Sequence, residues 1–132
     1  MSSSMTPSYL DRFGGIGRLY GAEGLQRLHD AHVCVIGIGG VGSWAAEALA
    51  RTGVGKITLI DMDDICVTNT NRQIHAMTSS VGKLKSEAVA ERLKDINPEI
   101  DVDARMAFVT ASNLEEQITP CLLYTSDAAD DP

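Results

Sequence analysis

Residues 32–53 read HVCVIGIGGVGSWAAEALARTG and set the architecture of this protein. The run begins with a short apolar segment rich in β-branched residues, which is typical of a strand buried on both faces. A glycine-rich turn follows and opens an alanine-rich stretch from Val41 to Arg51, which favours a helix. Gly53 is a natural helix stop. The run therefore predicts a strand, a tight turn and a helix in immediate succession.

The segments that follow continue this alternation. Residues 56–61, KITLID, predict a second buried strand. Residues 81–98, VGKLKSEAVAERLKDINP, predict a helix that ends at its Asn-Pro pair, and residues 100–109 predict a third, more exposed strand. Ser112 and Glu115 resemble a capping box, which indicates a further short helix.

The order of these elements indicates the fold class. A glycine-punctuated arm precedes the first strand and leads into a short amphipathic helix near residues 22–30. The order β-α-β-α-β-α then predicts an α/β fold with a Rossmann-like, doubly wound parallel sheet. Only the first three strands of such a sheet are expected, together with an N-terminal helical arm.

Composition excludes several classes of protein. The chain has 132 residues, of which 44% are hydrophobic and 22% charged, an ordinary globular composition. Residues 1–98 carry ten basic and ten acidic side chains, whereas residues 99–132 carry one basic and eight acidic, so bulk charge does not indicate nucleic-acid binding by this chain. Three scattered cysteines indicate neither a disulfide framework nor a zinc site. No apolar run reaches about 18 residues and no signal peptide is visible, so we expect no membrane contact and a reducing, cytoplasmic compartment.

The turn after the first strand has the spacing of a phosphate loop. Gly37, Gly39 and Gly42 fit the pattern GxGxxG, and Gly40 lies inside it, between a predicted strand and a predicted helix. The N–H groups of such a helix N-terminus attract an anion. Asp61 ends the second predicted strand, 24 residues after Gly37, where a carboxylate can accept the ribose hydroxyls of a nucleotide. The motif does not distinguish NAD, FAD and ATP, and a glycine-rich turn that binds nothing is the alternative.

A long polar segment favours ATP over NAD as the predicted nucleotide. Residues 61–73 read DMDDICVTNTNRQ, and a plain dinucleotide-binding domain has no use for these amides and this arginine. Attack of a carboxylate on the α-phosphorus of ATP builds negative charge that Arg, Lys and Mg²⁺ stabilise. Arg72 offers a planar fork for phosphate oxygens, with a surface ion pair as its alternative role, and Lys85 offers a point charge. An NAD-linked oxidoreductase is the alternative that this segment disfavours. A non-catalytic binding module or an inactive fragment is a further alternative for the function of the chain.

The motifs resemble one known superfamily. The patterns GxGGxGS, LIDxDxxxxxNxNRQ and VGxxKxE are similar to those of the ubiquitin-activating-like adenylyltransferases, whose bacterial members serve molybdopterin and thiamine synthesis. The stretches RFGGIGRLYG and LIDMDDICVTNTNRQIHA are most similar to the branch of tRNA threonylcarbamoyladenosine dehydratases. The resemblance spans about residues 11–119, the N-terminal half of such an enzyme.

The resemblance implies roles for individual residues. Gly40 would touch the phosphates and Asp61 the ribose, while Arg72 and Lys85 would be catalytic. Lys85 would contact the α-phosphate, and its neighbour Lys83 is the rival for that position. The residues that would complete the nucleotide pocket are Asp63, Thr68, Asn69 and Asn71, with Arg72 beside them.

The resemblance also implies a reaction and partners. The carboxylate of the threonylcarbamoyl group on tRNA would be adenylated by ATP, and ring closure would then expel AMP. The alternative is activation of the C-terminus of a ubiquitin-like sulfur carrier. Family members imply tRNA as a partner of the full-length protein, a homodimer, sulfur-relay proteins in some cases, and Mg²⁺ held by an aspartate beyond residue 119. Cys66 is interpreted as a packing residue rather than a nucleophile.

Two features depart from the family pattern. In the N-terminal arm, the position of the arginine that reaches the partner subunit's ATP holds glycine, so Arg12 and Arg18 are its candidate replacements. The family chain is also about twice as long. We therefore divide the chain into an arm (1–31), a truncated nucleotide-binding α/β domain (32–119) and a doubtful tail (120–132).

The tail, PCLLYTSDAADDP, has neither a helical stripe nor strand alternation. We interpret it as adapter-derived rather than native sequence, with a disordered acidic tail as the alternative. With no fourth strand, the edge of the first strand should be unpaired, which invites aggregation. We expect an inactive fragment that is poorly soluble or partly unfolded. Trp44 is expected in the core or at an interface.

Overall fold

The computed structural model describes residues 4–61, 70–71, 73–74, 76–107, 112–113 and 122–125. Within these residues a four-stranded sheet is flanked by three helices. The strands are β1 (His32–Ile36), β2 (Lys56–Ile60), β3 (Asp101–Arg105) and β4 (Leu122–Thr125), and the helices are α1 (Pro7–Asp30), α2 (Gly40–Thr52) and α3 (Lys85–Ile96).

The sheet is parallel throughout, in the order β3-β2-β1-β4. His32 is in register with Lys56, and Lys56 with Asp101, so the first three strands begin at one level. All carboxyl ends therefore meet at one edge, which is where ligands bind in open α/β sheets. The prediction of an incomplete, Rossmann-like α/β fold is confirmed.

The main core lies between the sheet and the pair α2 and α3. β1 and β2 supply branched side chains that are buried on this face because helices cover the parallel strands. α2 contributes alanines, and α3 contributes larger side chains opposite them. The central members of this cluster are Val33, Val35, Ala46, Ala50, Ile57, Leu59, Val89 and Leu93.

The N-terminal helical arm is longer than the helix expected near residues 22–30, because its glycine-rich half is helical as well. α1 begins after Thr6, whose Oγ1 accepts from the N–H of Tyr9 at 3.1 Å, and is kinked at Gly21, where φ is 84°. The kink lets Tyr9 and Phe13 pack with Leu25 in a second small cluster. Tertiary burial therefore outweighs the low helix propensity of glycine here.

The arm packs at the amino edge of the sheet. Tyr9 donates from its hydroxyl to the carbonyl of Gly53 at 2.5 Å, and Thr6 contacts the Glu99 carboxylate at 2.8 Å. Both partners lie in connections that lead from a helix into a strand. The first turns of α1 are thus placed by contacts opposite the carboxyl edge.

The structure corrects the expectation of an unpaired edge. Backbone residues Leu122–Thr125 pair in parallel with Val33–Ile36 of β1. The prediction that residues 120–132 contain no strand is therefore wrong. Strand pairing here is a long-range backbone contact, which local side-chain alternation does not report. The foreign origin of the tail stays a prediction.

The bounds of two other elements differ from the prediction. α3 begins at Lys85 rather than near residue 81, because residues 78–83 form turns with Gly82 at φ 92°. β3 ends at Arg105, short of residue 109. In the described part of the chain, none of the helices combines the length and apolar character needed to cross a membrane.

Candidate nucleotide site

The turn after β1 is shaped by one glycine in a left-handed conformation. Gly37 has φ 86°, which glycine adopts without the steric cost that a Cβ brings. Its N–H donates to the carbonyl of Ile60 at 2.9 Å, and so the turn is attached to the end of β2. The conformation and the bond together direct the chain into α2.

The N-terminus of α2 presents backbone donors at the carboxyl edge. Gly39 is the N-cap and has no side chain with which to cap the helix. The first bond of the helix runs from the N–H of Ser43 to the carbonyl of Gly39 at 3.0 Å. The N–H groups of Gly40 to Gly42 precede this bond and have no intrahelical acceptor, as at any helix start. They form a donor set suited to phosphate oxygens.

Asp61 lies against this turn. Its Oδ2 accepts from the backbone N–H of Ile38 at 2.5 Å, and the residue is only 9% exposed. The sequence prediction gave Asp61 a role at the ribose, and the structure adds a second role that spacing did not reveal. The carboxylate couples the end of β2 to the glycine turn.

Lys83 and Lys85 are placed in different environments. Lys85 is the first residue of α3 and is 3% exposed, so its side chain is held within the protein. Lys83 keeps 47% of its side chain exposed and pairs with Glu91 at 3.3 Å. Of the two lysines, Lys85 has the constrained position expected of a site residue.

A pair of charges joins the helices that carry the loop and Lys85. Glu47 of α2 accepts a charge-assisted hydrogen bond from Nε of Arg92 in α3. Arg51, one turn further along α2, approaches the same carboxylate at 3.4 Å. The hydrogen bond from Arg92 holds the pKa of Glu47 below its usual value, against the opposing effect of burial. Sequence reasoning missed this pair, although an acidic residue inside the run AAEALA was a signal.

A groove of about 320 Å³ lies between α2 and residues 70, 71, 73, 74 and 76. Asn71 is exposed there, and Trp44, which is 57% exposed, lines the same groove with Arg92. Trp44 lies on the outer face of α2, so the core is wrong as its position, and the alternative of an interface stays a prediction. Gln73 is 3% exposed and is also among the lining residues.

Several predicted site residues lie outside the described residues, namely Asp63, Thr68, Asn69 and Arg72, together with Cys66. Their roles stay predictions. Among the described residues there is no group of three or more His, Cys, Asp or Glu side chains that could hold a metal ion. The predicted Mg²⁺ ligand belongs to a part of the family fold that would follow residue 119.

The donor set at the carboxyl edge fits a nucleotide phosphate. It combines main-chain N–H groups at a helix start, a carboxylate that fixes the preceding turn and a lysine at the start of the neighbouring helix. Such a set binds an anion and supplies positive charge where charge develops during phosphoryl chemistry. The geometry therefore defines an α/β domain whose carboxyl edge is suited to an anionic ligand.

Comparison with known proteins places the chain more closely. Residues 15–130 match the ThiF family, and the chain belongs to that family. It is 57% identical over 130 residues to the tRNA threonylcarbamoyladenosine dehydratase of Escherichia coli, covering 98% of this chain and 48% of the relative. The Haemophilus influenzae dehydratase is 56% identical over 123 residues, covering 93% of this chain and 47% of the relative. The chain spans about half the length of these curated relatives.

Solved structures agree with this placement. The E. coli tRNA N6-threonylcarbamoyladenosine dehydratase in complex with ATP superposes with a TM-score of 0.93 and 52% identity, covering 98% of this chain and 54% of that chain. A more distant family relative is the sulfur carrier protein ThiS adenylyltransferase of E. coli, 38% identical over 96 residues, covering 73% of this chain and 38% of the relative. The predicted resemblance to the dehydratases and their superfamily is confirmed.

Proposed function

We propose that this chain forms the nucleotide-binding half of an enzyme that dehydrates threonylcarbamoyladenosine in tRNA at the expense of ATP. The observation that carries the proposal is the identity to the E. coli dehydratase, which extends across nearly the whole chain and includes the site. The donor set at the carboxyl edge supports ATP as the co-substrate. The tRNA, a homodimer and any sulfur-relay partner belong to the proposal for the whole protein.

The chemistry proceeds in two steps. A carboxylate oxygen of the threonylcarbamoyl group bonds to the α-phosphorus of ATP, and the bond to pyrophosphate breaks, which gives an acyl-adenylate. A nitrogen or oxygen of the same modification then attacks the acyl carbon, loses its proton and expels AMP with the former carboxylate oxygen. The balance for the tRNA is loss of one water.

The described residues serve the first step. The N–H groups of Gly40 to Gly42 and the ammonium of Lys85 would stabilise negative charge on the phosphoryl oxygens. Asp61 would orient the nucleotide while it holds the glycine turn. Arg72, Asn69, Asn71, Thr68 and Asp63 would line the remainder of the pocket. Mg²⁺, bound through an aspartate beyond residue 119, would supply further charge for departing pyrophosphate.

Activation of a ubiquitin-like sulfur carrier is the alternative. The similarity to the ThiS adenylyltransferase supports it, at lower identity and over less of the chain. Both functions use the same nucleotide site and differ in the acceptor carboxylate. A test of function must therefore measure the acceptor and not only ATP consumption.

The test is complementation of an E. coli strain that lacks its dehydratase. Residues 1–119 replace the matching half of the E. coli enzyme, and the tRNA nucleosides are analysed by mass spectrometry. We expect the chimera to restore the dehydrated nucleoside and the 132-residue chain alone to leave it absent. Pyrophosphate release with a sulfur carrier, without dehydrated tRNA, would favour the alternative.

Two lysine variants of the chimera test the site assignment. Lys85→Met removes the buried ammonium, and Lys83→Met removes an exposed one of the same length. A charge-assisted hydrogen bond contributes about 1.5–3 kcal/mol, so Lys85→Met should weaken ATP binding about tenfold or more. Lys83→Met should stay within about twofold, because an exposed pair contributes little. Equal losses in both variants would contradict the assignment of Lys85.

A further inference from the structure

Glu47 of α2 and Arg92 of α3 form an ion pair, and each residue lies equally far from the N-terminus of its own helix. Glu47 is seven residues after Gly40, where α2 begins, and Arg92 is seven residues after Lys85, where α3 begins. Seven residues are nearly two helical turns, or about 10 Å along each axis. The pair therefore joins the two helices at equal distances from their N-termini.

Both helices run in the same direction on the same core. Each follows a strand of a parallel sheet and returns to the amino edge, so both N-termini lie at the carboxyl edge. Ala46 and Ala50 of α2 share one buried cluster with Val89 and Leu93 of α3. Apolar contacts of this kind are non-directional and tolerate sliding of one helix along the other.

The bond from Arg92 to Glu47 is directional and largely shielded. The Glu47 side chain is 12% exposed and that of Arg92 35%, whereas Arg51, the other partner of Glu47, is 59% exposed. A charge-assisted bond from a planar guanidinium fixes distance and orientation together. The bond therefore adds a directional restraint on the axial register of α2 against α3 to the apolar contacts around it.

Arg92 also reaches the polar segment of the site. It lines the groove of about 320 Å³ beside α2, in which Asn71 is exposed. It lines a second groove of about 500 Å³ between residues 77–83 and α3, which contains Ser80 and Lys83. Arg92 of α3 therefore bonds to α2 and also lines both grooves.

We propose that Glu47 and Arg92 are positioning residues, which hold Lys85 at the distance from the Gly40 turn that a bound triphosphate requires. This inference rests on the proposed nucleotide site and adds a part that neither the glycine motif nor the family resemblance assigned. The pair acts through the register of α2 against α3.

The test measures the ATP affinity of the chimera with the E. coli enzyme by calorimetry, with the melting temperature of each variant recorded beside it. The variants are Glu47→Gln alone, Lys85→Met alone and both together. Arg51→Ala is the matched control, because it removes a positive charge from Glu47 without cutting the link between helices. We expect Glu47→Gln to weaken ATP binding about fivefold, equivalent to about 1 kcal/mol, and Arg51→Ala to change it less than about twofold.

The combined variant separates positioning from general stability. If Glu47 acts by placing Lys85, then Glu47→Gln has no further effect on ATP affinity once Lys85 is methionine, although it still lowers the melting temperature. An equal loss of affinity in both backgrounds would overturn the proposal, as would unchanged affinity with a lower melting temperature.

The variant Arg92→Lys and the unaltered protein supply two further tests. If Glu47→Gln melts below the assay temperature, Arg92→Lys gives the same comparison, because it keeps the charge but loses the planar fork. Its affinity for ATP should then fall between those of the wild type and Lys85→Met, and a wild-type affinity would overturn the proposal. Absence of ATP binding by the unaltered chimera would overturn the nucleotide site itself, and the positioning role with it.

Discussion

The carboxylate of Asp61 accepts the backbone N–H of Ile38 at 2.5 Å, so the residue that follows β2 holds the turn that follows β1. Ile38 is fully buried, and its amide would otherwise need another acceptor. The two strands are neighbours in the sheet, which brings their carboxyl ends together. A residue expected only to meet the ribose thus also shapes the loop that meets the phosphates.

Two substitutions at Asp61 should separate these roles. Asp61→Ala leaves the buried Ile38 amide without its carboxylate acceptor, which costs about 1–3 kcal/mol. Asp61→Asn keeps an oxygen for that amide but loses the negative charge. We expect Asp61→Ala to lower the melting temperature clearly, Asp61→Asn to lower it less, and both to weaken ATP binding. A wild-type melt for Asp61→Ala would show that the bond to Ile38 contributes nothing.

Two glycine-to-alanine changes should have opposite effects on stability. A Cβ at Gly55 would lie 1.9 Å from the carbonyl oxygen of His29, so α1 and the start of β2 would have to separate. Overpacking of this kind costs about 1–3 kcal/mol. A Cβ at Gly14 meets nothing within 4 Å, and alanine is the better helix former by about 0.5–1 kcal/mol. Thermal melts should therefore shift down for Gly55→Ala and up for Gly14→Ala, and the reverse order would contradict the observed junction.

Tyr9 should make stability sensitive to alkaline pH. Burial, with a smaller effect of Asp30, raises the pKa of its phenol from 10.0 to about 12. The native state favours the protonated phenol, which donates to the Gly53 carbonyl. This stabilisation is present below pH 10 and is lost as the pH rises toward 12.

The variant Tyr9→Phe supplies the comparison. It lacks the donor and should be about 1 kcal/mol less stable at pH 8. The difference in unfolding free energy between wild type and Tyr9→Phe, measured in urea, should shrink between pH 10 and pH 12. A difference that stays constant over this range would mean that the Tyr9 phenol is not the group responsible.

Removal of the last thirteen residues should expose the edge of β1. Backbone groups of Val33–Ile36 pair with Leu122–Thr125, and a chain that ends at Thr119 would leave them unpaired. An open apolar strand edge promotes association. Light scattering at matched concentration should show larger particles for the shortened chain than for the 132-residue chain. Equal monomeric behaviour would show that β4 is not needed to protect the edge.

Local pattern was enough to predict the α/β class, the strand-turn-helix unit and the position of Asp61. Each of these depends on residues close in sequence, namely the periodicity of apolar side chains and the glycine spacing between Gly37 and Gly42. A left-handed Gly37 and a helix that begins at Gly40 follow from the same short segment. Buried parallel strands can be recognised in a sequence because both of their faces are apolar.

Long-range contacts decided the rest. The pairing of β4 with β1 joins backbone groups almost ninety residues apart, and the helical state of the glycine-rich arm depends on burial of Tyr9 and Phe13. The bond between Glu47 and Arg92 exists only because two helices pack side by side. Hydrophobic periodicity specifies which face of an element is buried but not which element covers it. The folded chain alone could therefore show how the glycine turn and Lys85 are held in register.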